Sequence, residues 1–303
     1  MTTRPKTLYH YTTAGGLLGI LEPVRGLEGY ALGVETTFVR SFSLWATDAR
    51  YLNDSAELGH AGPALADAID ERISGVDNTE RRELLAKLSE QVRHGDYTAD
   101  DYNIGKLSHT AYVTSFCTDG NLLSQWRGYG ANGGGYSIEF RADVLRDLLV
   151  PMMRAGDDVI GYASGSTLYK VDYDLSPERL QECASEIVDG ESGWELYKCL
   201  SALAQFKNPA FREEDEWRVI SSGGTFYVPC KFRTSPSGGI VPFIQMVRPQ
   251  PVVEGEYIAS AIKSIMVGPG PDQDLRREAV AQLLAQRGFF DVSVDVSATT
   301  YKG

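Results

Sequence analysis

The sequence predicts an α+β fold, in which antiparallel strands carry groups of helices as insertions. Strand patterns of the antiparallel type occur along the whole chain and dominate from residue 216 onward. Helical patterns gather near residues 55–106 and 176–206. Strands interrupted by runs of helices are typical of α+β proteins, whereas alternation of single strands and helices is typical of parallel sheets. We therefore expect one domain over residues 1–303, with the two helical groups inserted into it.

The N-terminal part begins with an aromatic strand, LYHYT at residues 8–12, followed by a helix over residues 14–21. Thr12 or Thr13 is expected to cap this helix, because a threonine hydroxyl accepts hydrogen bonds from the free N–H groups of the first turn. The next segments are a strand at 38–46, a helix from the cap residues 53–55 to Ile73, a helix at 78–92 and an exposed loop at 95–106.

The centre of the chain is predicted as a strand (112–117), a helical turn (122–127), a glycine-rich loop and a second strand (135–140). Loops that strands position often carry binding groups. This one carries Gln125, Trp126, Arg127 and Tyr129, so we expect a ligand site here. The later segments are helices at 142–150, 176–188 and 194–206, strands at 167–173, 217–221, 225–232, 240–247 and 262–267, a helix at 272–287 and a strand at 291–296.

Composition narrows the class of protein. The 41 acidic residues exceed the 29 Lys and Arg residues and give a net charge of -12, so constitutive nucleic-acid binding is not expected. The sequence has no apolar run of about 18 residues and no leader at residues 1–11, so neither a membrane-spanning nor a secreted form is expected. The four cysteines form no CxxC pair, which favours a reduced, cytoplasmic protein. Cys117 ends an apolar strand and is expected in the core.

Two short motifs have competing interpretations. Gly128, Gly130 and Gly133 match G-x-G-x-x-G, but a dinucleotide fingerprint requires a preceding strand and a following helix, and here the order is reversed. These glycines indicate either a flexible strand entry or a close backbone approach to a ligand. Glu57 and His60 form an E-x-x-H pair, which carboxylate-bridged metal sites use twice. With one copy, a solvated helix face is expected and no metal site is predicted.

His10 and Glu216 are the titratable residues with the most informative positions. His10 lies in a strand, either as a satisfied structural residue or as a hydrogen-bonding group at the mouth of a cleft. Alternation places Glu214, Glu216 and Arg218 on one face of a later strand. A buried carboxylate is costly unless paired. Glu216 is therefore either in a salt bridge with Arg218 or held ready to stabilise a developing positive charge.

Four motifs carry a family resemblance. They are LYHYT (8–12), LWATDARYLNDSAE (44–57), SFCTDGNLLSQWRGYG (115–130) and FKNPAFREEDEWRVI (206–220). Together with IKSIMVGPG (262–270) and the terminal SATTYKG, they resemble a widespread bacterial family of unknown function over nearly the whole chain. Because the function of that family is unknown, this resemblance implies no particular activity.

The order of a strand histidine, an aromatic residue after a middle strand and a glutamate opening a late strand resembles the His–Tyr–Glu class of ADP-ribosyltransferases. By position, the resemblance implies that His10 bonds the ribose and orients NAD. It implies that Tyr129 stacks on nicotinamide and that Glu216 stabilises an oxocarbenium-like transition state. Other residues compete for these places, namely Tyr11, Tyr112 and Tyr136 for the tyrosine and Glu214 for the glutamate.

The same resemblance implies split antiparallel sheets, like those of the ADP-ribosyltransferase fold, and a nucleotide-binding cleft. Its expected lining is Tyr11, Thr12, Ser115, Gln125, Trp126 and Arg127. Thr12 would assist His10, and Arg127 would meet the diphosphate or, alternatively, pair with Asp119 at the surface. The expected function is transfer of ADP-ribose from NAD to an unknown acceptor, or hydrolysis of NAD, in a bacterial toxin or defence protein. The alternatives are a non-enzymatic nucleotide-binding or sensor module and phosphoryl chemistry on RNA ends, which the net charge disfavours.

Overall fold

The computed structural model describes residues 4–24, 38–52, 58–101, 105–130, 134–146, 148–155, 158–221, 230–235, 239–252 and 259–299. Its strands are β1 (Thr7–Thr12), β2 (Phe38–Asp48), β3 (Thr98–Asp101), β4 (Gly105–Ser108), β5 (Tyr112–Phe116), β6 (Tyr136–Arg141), β7 (Leu149–Ala155), β8 (Asp158–Ser164), β9 (Thr167–Lys170), β10 (Trp217–Ser221), β11 (Lys231–Thr234), β12 (Ile240–Val252), β13 (Ile262–Val267) and β14 (Ser293–Val296). Its helices are α1 (Ala14–Ile20), α2 (Gly62–Ile73), α3 (Thr79–His94), α4 (Leu123–Tyr129), α5 (Pro177–Val188), α6 (Glu195–Leu203) and α7 (Gln273–Gln286).

The described strands form curled, mostly antiparallel sheets, and the helices lie outside them, so the α+β class is confirmed. A small sheet has the order β1-β6-β13-β14, and a large sheet has the order β8-β7-β12-β2-β5-β10-β9, with β11 on β12. β3 and β4 form a separate hairpin. The pair β13 and β14 is parallel and is connected through α7, as a parallel pair requires a crossover.

Two apolar cores hold the elements together. One packs side chains of the small sheet, such as Leu8 and Phe140, against those of the large sheet, such as Phe42 and Trp217. The other packs α2, α3, α5 and α6 on the large sheet. The two predicted helical groups, distant in sequence, therefore share one core, because α2 packs against both α3 and α5.

Several predicted boundaries agree with the structure. The hydroxyl of Thr13 caps α1 by accepting from the N–H of Gly16 at 3.2 Å, and Asn78 caps α3 by accepting from the N–H of Arg81 at 2.9 Å. α2 begins only at Gly62, with a proline in its first turn, where the fixed proline φ suits a helix start. The predicted caps at 53–55 and strand residues 225–229 lie outside the described residues.

Two predicted elements are wrong. Residues 142–150 form a 3₁₀ helix at Ala142–Leu145 and the start of β7, where a longer helix is predicted. Pro151 disfavours helical backbone before it, and pairing with β8 makes the extended form favourable. Residues 95–106 contain β3 and part of β4, where an exposed loop is predicted. Among the described helices, none combines the length and the apolar character needed to cross a membrane.

Candidate functional site

One edge of β5 is shared between two neighbouring strands. Near its start, Val113 pairs with Thr47 of β2. Just beyond its end, Cys117 and Tyr9 of β1 exchange two backbone hydrogen bonds, each 2.9 Å long. The described pairing of β2 with β5 ends at Val113, so the large and small sheets separate at this edge. We call this point, between Val113 and Cys117, the fork.

The side chain of His10 lies at the fork. Its Nδ1 is 2.9 Å from the carbonyl oxygen of Ser115, and its ring centroid is 5.6 Å from that of Phe116. A carbonyl can only accept, so Nδ1 carries the proton and Nε2 is the acceptor in the neutral ring. Burial lowers the pKa of His10, and the charge of Arg233 lowers it further against the opposing effect of the Ser115 bond. His10 is therefore neutral near physiological pH.

The stability of the protein is expected to fall as the pH drops below 6.5, the ordinary histidine value. Because the pKa of folded His10 is lowered, the unfolded chain takes up the proton first and gains stability from that pH downward. His10→Gln is expected to reduce this decline, whereas His94→Gln, on the exposed surface of α3, leaves it unchanged. Urea unfolding of all three proteins at about pH 8, 6 and 5 measures the effect. Equal declines in wild type and His10→Gln would contradict it.

A buried ionic cluster of Lys207, Glu214, Glu216 and Arg218 lies beside Ser115. Glu216 is 2% exposed, and its carboxylate accepts from Nε of Arg218 at 2.8 Å and from Nη2 at 3.0 Å. Nζ of Lys207 lies 2.9 Å from Glu216 and 2.8 Å from Glu214. The hydroxyl of Ser115 also lies close enough to Glu216 to help lower the pKa of its carboxyl. The salt bridge between Glu216 and Arg218, which the sequence allows, is thus part of a network of two cations and two carboxylates.

The cluster keeps its members charged. Burial alone would raise the pKa of Glu216, but the charges of Arg218 and Lys207 outweigh it and lower that pKa to about 2. Burial alone would lower the pKa of Lys207, but the charge of Glu216 outweighs it and raises that pKa. The backbone also holds Glu216, whose N–H donates to the hydroxyl of Tyr173 at 2.9 Å. A fixed carboxylate, ionised over the physiological range, is the result.

The structure brings three of the predicted site residues together. His10 bonds to the carbonyl of Ser115, and the hydroxyl of the same residue lies close enough to Glu216 to lower the pKa of its carboxyl. Ser115 and Arg218 are also register partners in the pairing of β5 with β10. Thr12 ends β1 and is buried. His10, Ser115 and Glu216 thus form one connected group across three strands.

The predicted aromatic residues lie on the other face of β1. Tyr11, Cys117 and Trp126 form a separate buried cluster, against which Tyr9 and Tyr129 pack. Tyr9 and Tyr11 alternate with His10 along the strand, so their side chains leave it on the opposite face. The structure therefore does not bring Tyr129 to the face of β1 that carries His10.

The members of this aromatic cluster have contacts within the protein. Trp126 is fully buried, meets Tyr11 edge to face at 4.7 Å between ring centroids, and donates from Nε1 to Asn121 at 3.0 Å. The hydroxyl of Tyr11 accepts from the N–H of Leu122 at 2.8 Å and donates to the carbonyl of Asp119 at 3.1 Å. These contacts attach α4 and the segment before it to β1.

The remaining predicted residues of this stretch differ in exposure. Gln125 is buried and Arg127 is exposed, both on α4. Cys117 is 3% exposed, and burial raises the pKa of its thiol to about 12. The prediction of a buried core cysteine is confirmed.

The glycine-rich stretch approaches the chain itself. A Cβ on Gly135 would lie 2.5 Å from Cα of Gly130 and 2.6 Å from the carbonyl oxygen of Thr12, which only glycine tolerates without movement. The glycine-rich stretch therefore makes its close backbone approach to the end of β1. Gly133 lies outside the described residues.

Two residues outside the predicted site lie near the fork: Arg233 of β11 and, two residues before Thr47 on β2, Trp45. Nη2 of Arg233 donates to the hydroxyl of Thr47 at 2.8 Å. Nε of Arg233 and Nε1 of Trp45 are buried without an acceptor among the described residues. Burial lowers the pKa of Arg233, and among the described residues no carboxylate offsets this effect. Buried donors usually have acceptors, so the two groups favour an acceptor-rich ligand. Nothing in the local sequence distinguishes them, because strand pairing creates the arrangement.

The structure describes only one residue of the E-x-x-H pair, His60. Glu57 lies outside the described residues, and His60 precedes α2 with its Nε2 buried and unpartnered among the described residues. Within the described part of the chain, no three His, Cys, Asp or Glu side chains are grouped so that they could hold a metal ion.

Comparison with known proteins identifies one related family. Residues 125–219 match a family described as "Protein of unknown function (DUF2971)". No curated protein and no solved structure matches the chain. The matched stretch contains Glu216 and Arg218, whereas His10 and Ser115 lie outside it. The predicted resemblance to a family of unknown function is thus confirmed over this stretch.

Proposed function

We propose that the chain binds NAD at the fork and cleaves the bond between nicotinamide and ribose, as an ADP-ribosyltransferase-like enzyme. The observation that carries this proposal is that His10 and Glu216, which are far apart in the sequence, both lie against Ser115: His10 bonds to its carbonyl, and its hydroxyl helps to lower the pKa of Glu216. The separation of the two sheets at the fork supports the split arrangement of strands that the sequence resemblance implies.

His10 has the properties needed to position a ribose. Its Nδ1–H is held by the carbonyl of Ser115, which fixes the ring and leaves Nε2 as a hydrogen-bond acceptor. A ribose hydroxyl is a suitable donor to that nitrogen. The lowered pKa of His10 keeps the imidazole neutral, so it does not repel the cationic nicotinamide ring.

Glu216 has the properties needed to stabilise the transition state. Nicotinamide leaves with the electron pair of the broken bond, so positive charge develops on the ribose until an acceptor oxygen or nitrogen attacks and loses its proton. A preorganised carboxylate stabilises such charge, and the low pKa of Glu216 keeps it ionised. Lys207 bridges Glu216 and Glu214. In the proposed mechanism it shifts toward Glu214 as the ribose becomes positive.

Arg233 and Trp45 are proposed to bind the diphosphate. Arg233 is close enough to His10 for its charge to lower the histidine pKa, and it has a donor without an acceptor among the described residues. The indole N–H of Trp45 is a second such donor. Guanidinium groups match phosphate oxygens in geometry and charge. Arg127 has this role by sequence position, but it is exposed on α4, which packs on the other face of β1.

One observation favours a second function, a nucleotide-binding module without catalysis. The Glu216 carboxylate already accepts from two nitrogens of Arg218 and from Lys207, and the hydroxyl of Ser115 lies close beside it. A carboxylate has about four acceptor positions, so the protein already occupies most of those of Glu216. In this alternative the ionic cluster only supports the fork, and NAD or a similar nucleotide is bound there unchanged.

Incubation of the purified protein with NAD, followed by quantification of free nicotinamide, tests the two functions. The wild type is expected to release nicotinamide, and Glu216→Gln to release it about 100-fold more slowly. Circular dichroism at the assay temperature establishes that each variant is folded. Glu182→Gln, at an exposed position of α5, is the matched carboxylate control and is expected to retain most of the rate.

Calorimetric titration with NAD measures binding separately. Arg233→Gln is expected to weaken binding about tenfold or more, whereas Arg248→Gln, a half-buried arginine of β12, is expected to bind as the wild type does. Binding without nicotinamide release would establish the second function. Neither binding nor release by the folded wild type would contradict both.

A further inference from the structure

A basic groove lies where β1 begins, β6 ends and β13 begins. It is open to solvent and has a volume of about 760 Å³, within the range of about 300–1,000 Å³ typical of small-molecule sites. Its cationic lining residues are Arg4, Lys6, Arg141, Arg146 and Lys263. The protein as a whole has a net charge of -12, so this concentration of positive charge is a local property of the groove.

Backbone hydrogen bonds hold the walls of the groove in place. The N–H of Ala142 donates to the carbonyl of Lys6 at 3.0 Å, and the N–H of Arg141 donates to the carbonyl of Ala261 at 2.9 Å. The carbonyl of Arg146 accepts from the side chain of Arg248 at 3.1 Å. The segments that carry the cations are thus attached to one another in the absence of a ligand.

Three of the five cations lack an acidic partner within the described part of the chain. Arg4, Lys6 and Arg146 are exposed and form no ion pair there. Lys263 pairs with Glu139 at 2.7 Å. Arg141 has only a long contact of 3.6 Å with Asp143.

The acidic residues of the lining do not cancel this charge. Asp143 and Asp291 are the carboxylates of the groove. These two carboxylates face five cations, and Asp143 is largely exposed to solvent. Asp291 accepts from the backbone N–H of Ser260 at 2.7 Å, so this oxygen is directed at the protein. The groove therefore keeps an excess of positive charge toward solvent.

We propose that this groove binds a compact anion that carries two or more phosphate groups. Five cations on three segments present more N–H donors than the oxygens of a single phosphate or carboxylate can accept, so a second phosphate group is needed to use them. The cavity has the size for such a small molecule. An extended nucleic-acid strand is disfavoured, because beyond the groove it would meet a surface of net negative charge.

Isothermal titration of the full chain with inorganic tripolyphosphate at low salt tests the proposal. The groove variant Lys6→Glu/Arg146→Glu is expected to bind about tenfold more weakly or worse than the wild type. The control variant Lys87→Glu/Arg277→Glu makes the same change in net charge on the exposed surfaces of α3 and α7. It is expected to bind within about twofold of the wild type.

Three outcomes would overturn the proposal. The first is no binding of tripolyphosphate by the folded wild type at low salt. The second is equal weakening in the groove and control variants, which would assign binding to overall charge. The third is tighter binding of a single-stranded oligonucleotide of about 20 nucleotides, which would assign the groove to an extended polyanion. None of these measurements depends on NAD cleavage.

Discussion

The Glu216→Gln variant is expected to be less stable than the wild type by about 3 kcal/mol near pH 7. The pKa of Glu216 is lowered from its ordinary value of 4.5 to about 2, and a difference of this size corresponds to about 3 kcal/mol of stabilisation. Glutamine keeps the shape of the side chain and removes its charge. Arg218, 1% exposed, and Lys207, 5% exposed, then remain charged without a full partner, which is the costly way to break a buried ion pair.

Urea unfolding of the wild type and the variant measures this loss. Glu214→Gln is the matched control, because its side chain is 18% exposed and bonds to Lys207 alone among the described residues. It is expected to lose about 1 kcal/mol. Lys207→Met is expected to lower the free energy of unfolding less in the Glu216→Gln background than in the wild type. The reason is that Glu216→Gln has already removed one partner of that lysine. A loss below about 1 kcal/mol for Glu216→Gln would show that the network contributes little.

The same ion pair predicts a defined pH dependence. Because the pKa of Glu216 is lowered by folding, its stabilising effect is fully present above 4.5 and is lost as the pH falls from 4.5 toward about 2. The wild type is expected to lose stability more steeply over this interval than Glu216→Gln does. Acid titration of the two proteins, followed by tryptophan fluorescence, gives the comparison.

The Trp126→Ala variant is expected to lose about 4 kcal/mol of stability. Trp126 is fully buried, packs edge to face on Tyr11 and donates to Asn121. Replacement by alanine leaves a cavity in this cluster. It also removes one of the hydrogen-bond donors to the side-chain oxygen of Asn121. Asn121 also accepts from the hydroxyls of Ser297 and Thr299. Movement of Asn121 in the variant is therefore expected to weaken the attachment of the segment after β14.

Thermal and urea unfolding of Trp126→Ala measure this effect. Leu123→Ala, at an exposed position of the same helix, is the control and is expected to change stability by less than about 0.5 kcal/mol. A stable Trp126→Ala protein with weakened NAD binding would contradict the structural assignment. It would place Trp126 in the ligand site that the sequence indicates.

Local features were predictable from the sequence where local chemistry decides them. The threonine and asparagine caps of α1 and α3 depend on side chains three residues from their backbone partners. The burial of Cys117 follows from an apolar strand pattern. The ion pair of Glu216 with Arg218 follows from alternation along a single strand.

Features that depend on distant pairing were not predictable. Residues 142–150 have a helical pattern, but β7 is extended because it pairs with β8 and, at Leu149, with β12. The α4 stretch has the composition of a binding loop, yet Tyr11 and Trp126 are used to attach α4 to β1. The local sequence pattern does not indicate that these side chains are buried, because their partners are distant in the sequence.

By itself the sequence determined the α+β class, the positions of the strands around His10, Ser115 and Glu216, and the acidic character of the protein, because these depend on composition and short periodicities. Only the tertiary structure decided that one edge of β5 is shared between β2 and β1, and that His10 and Glu216 therefore meet at Ser115. The physical reason is that the pairing of distant strands depends on the free energy gained when both cores are buried together. No single segment of the sequence carries that information.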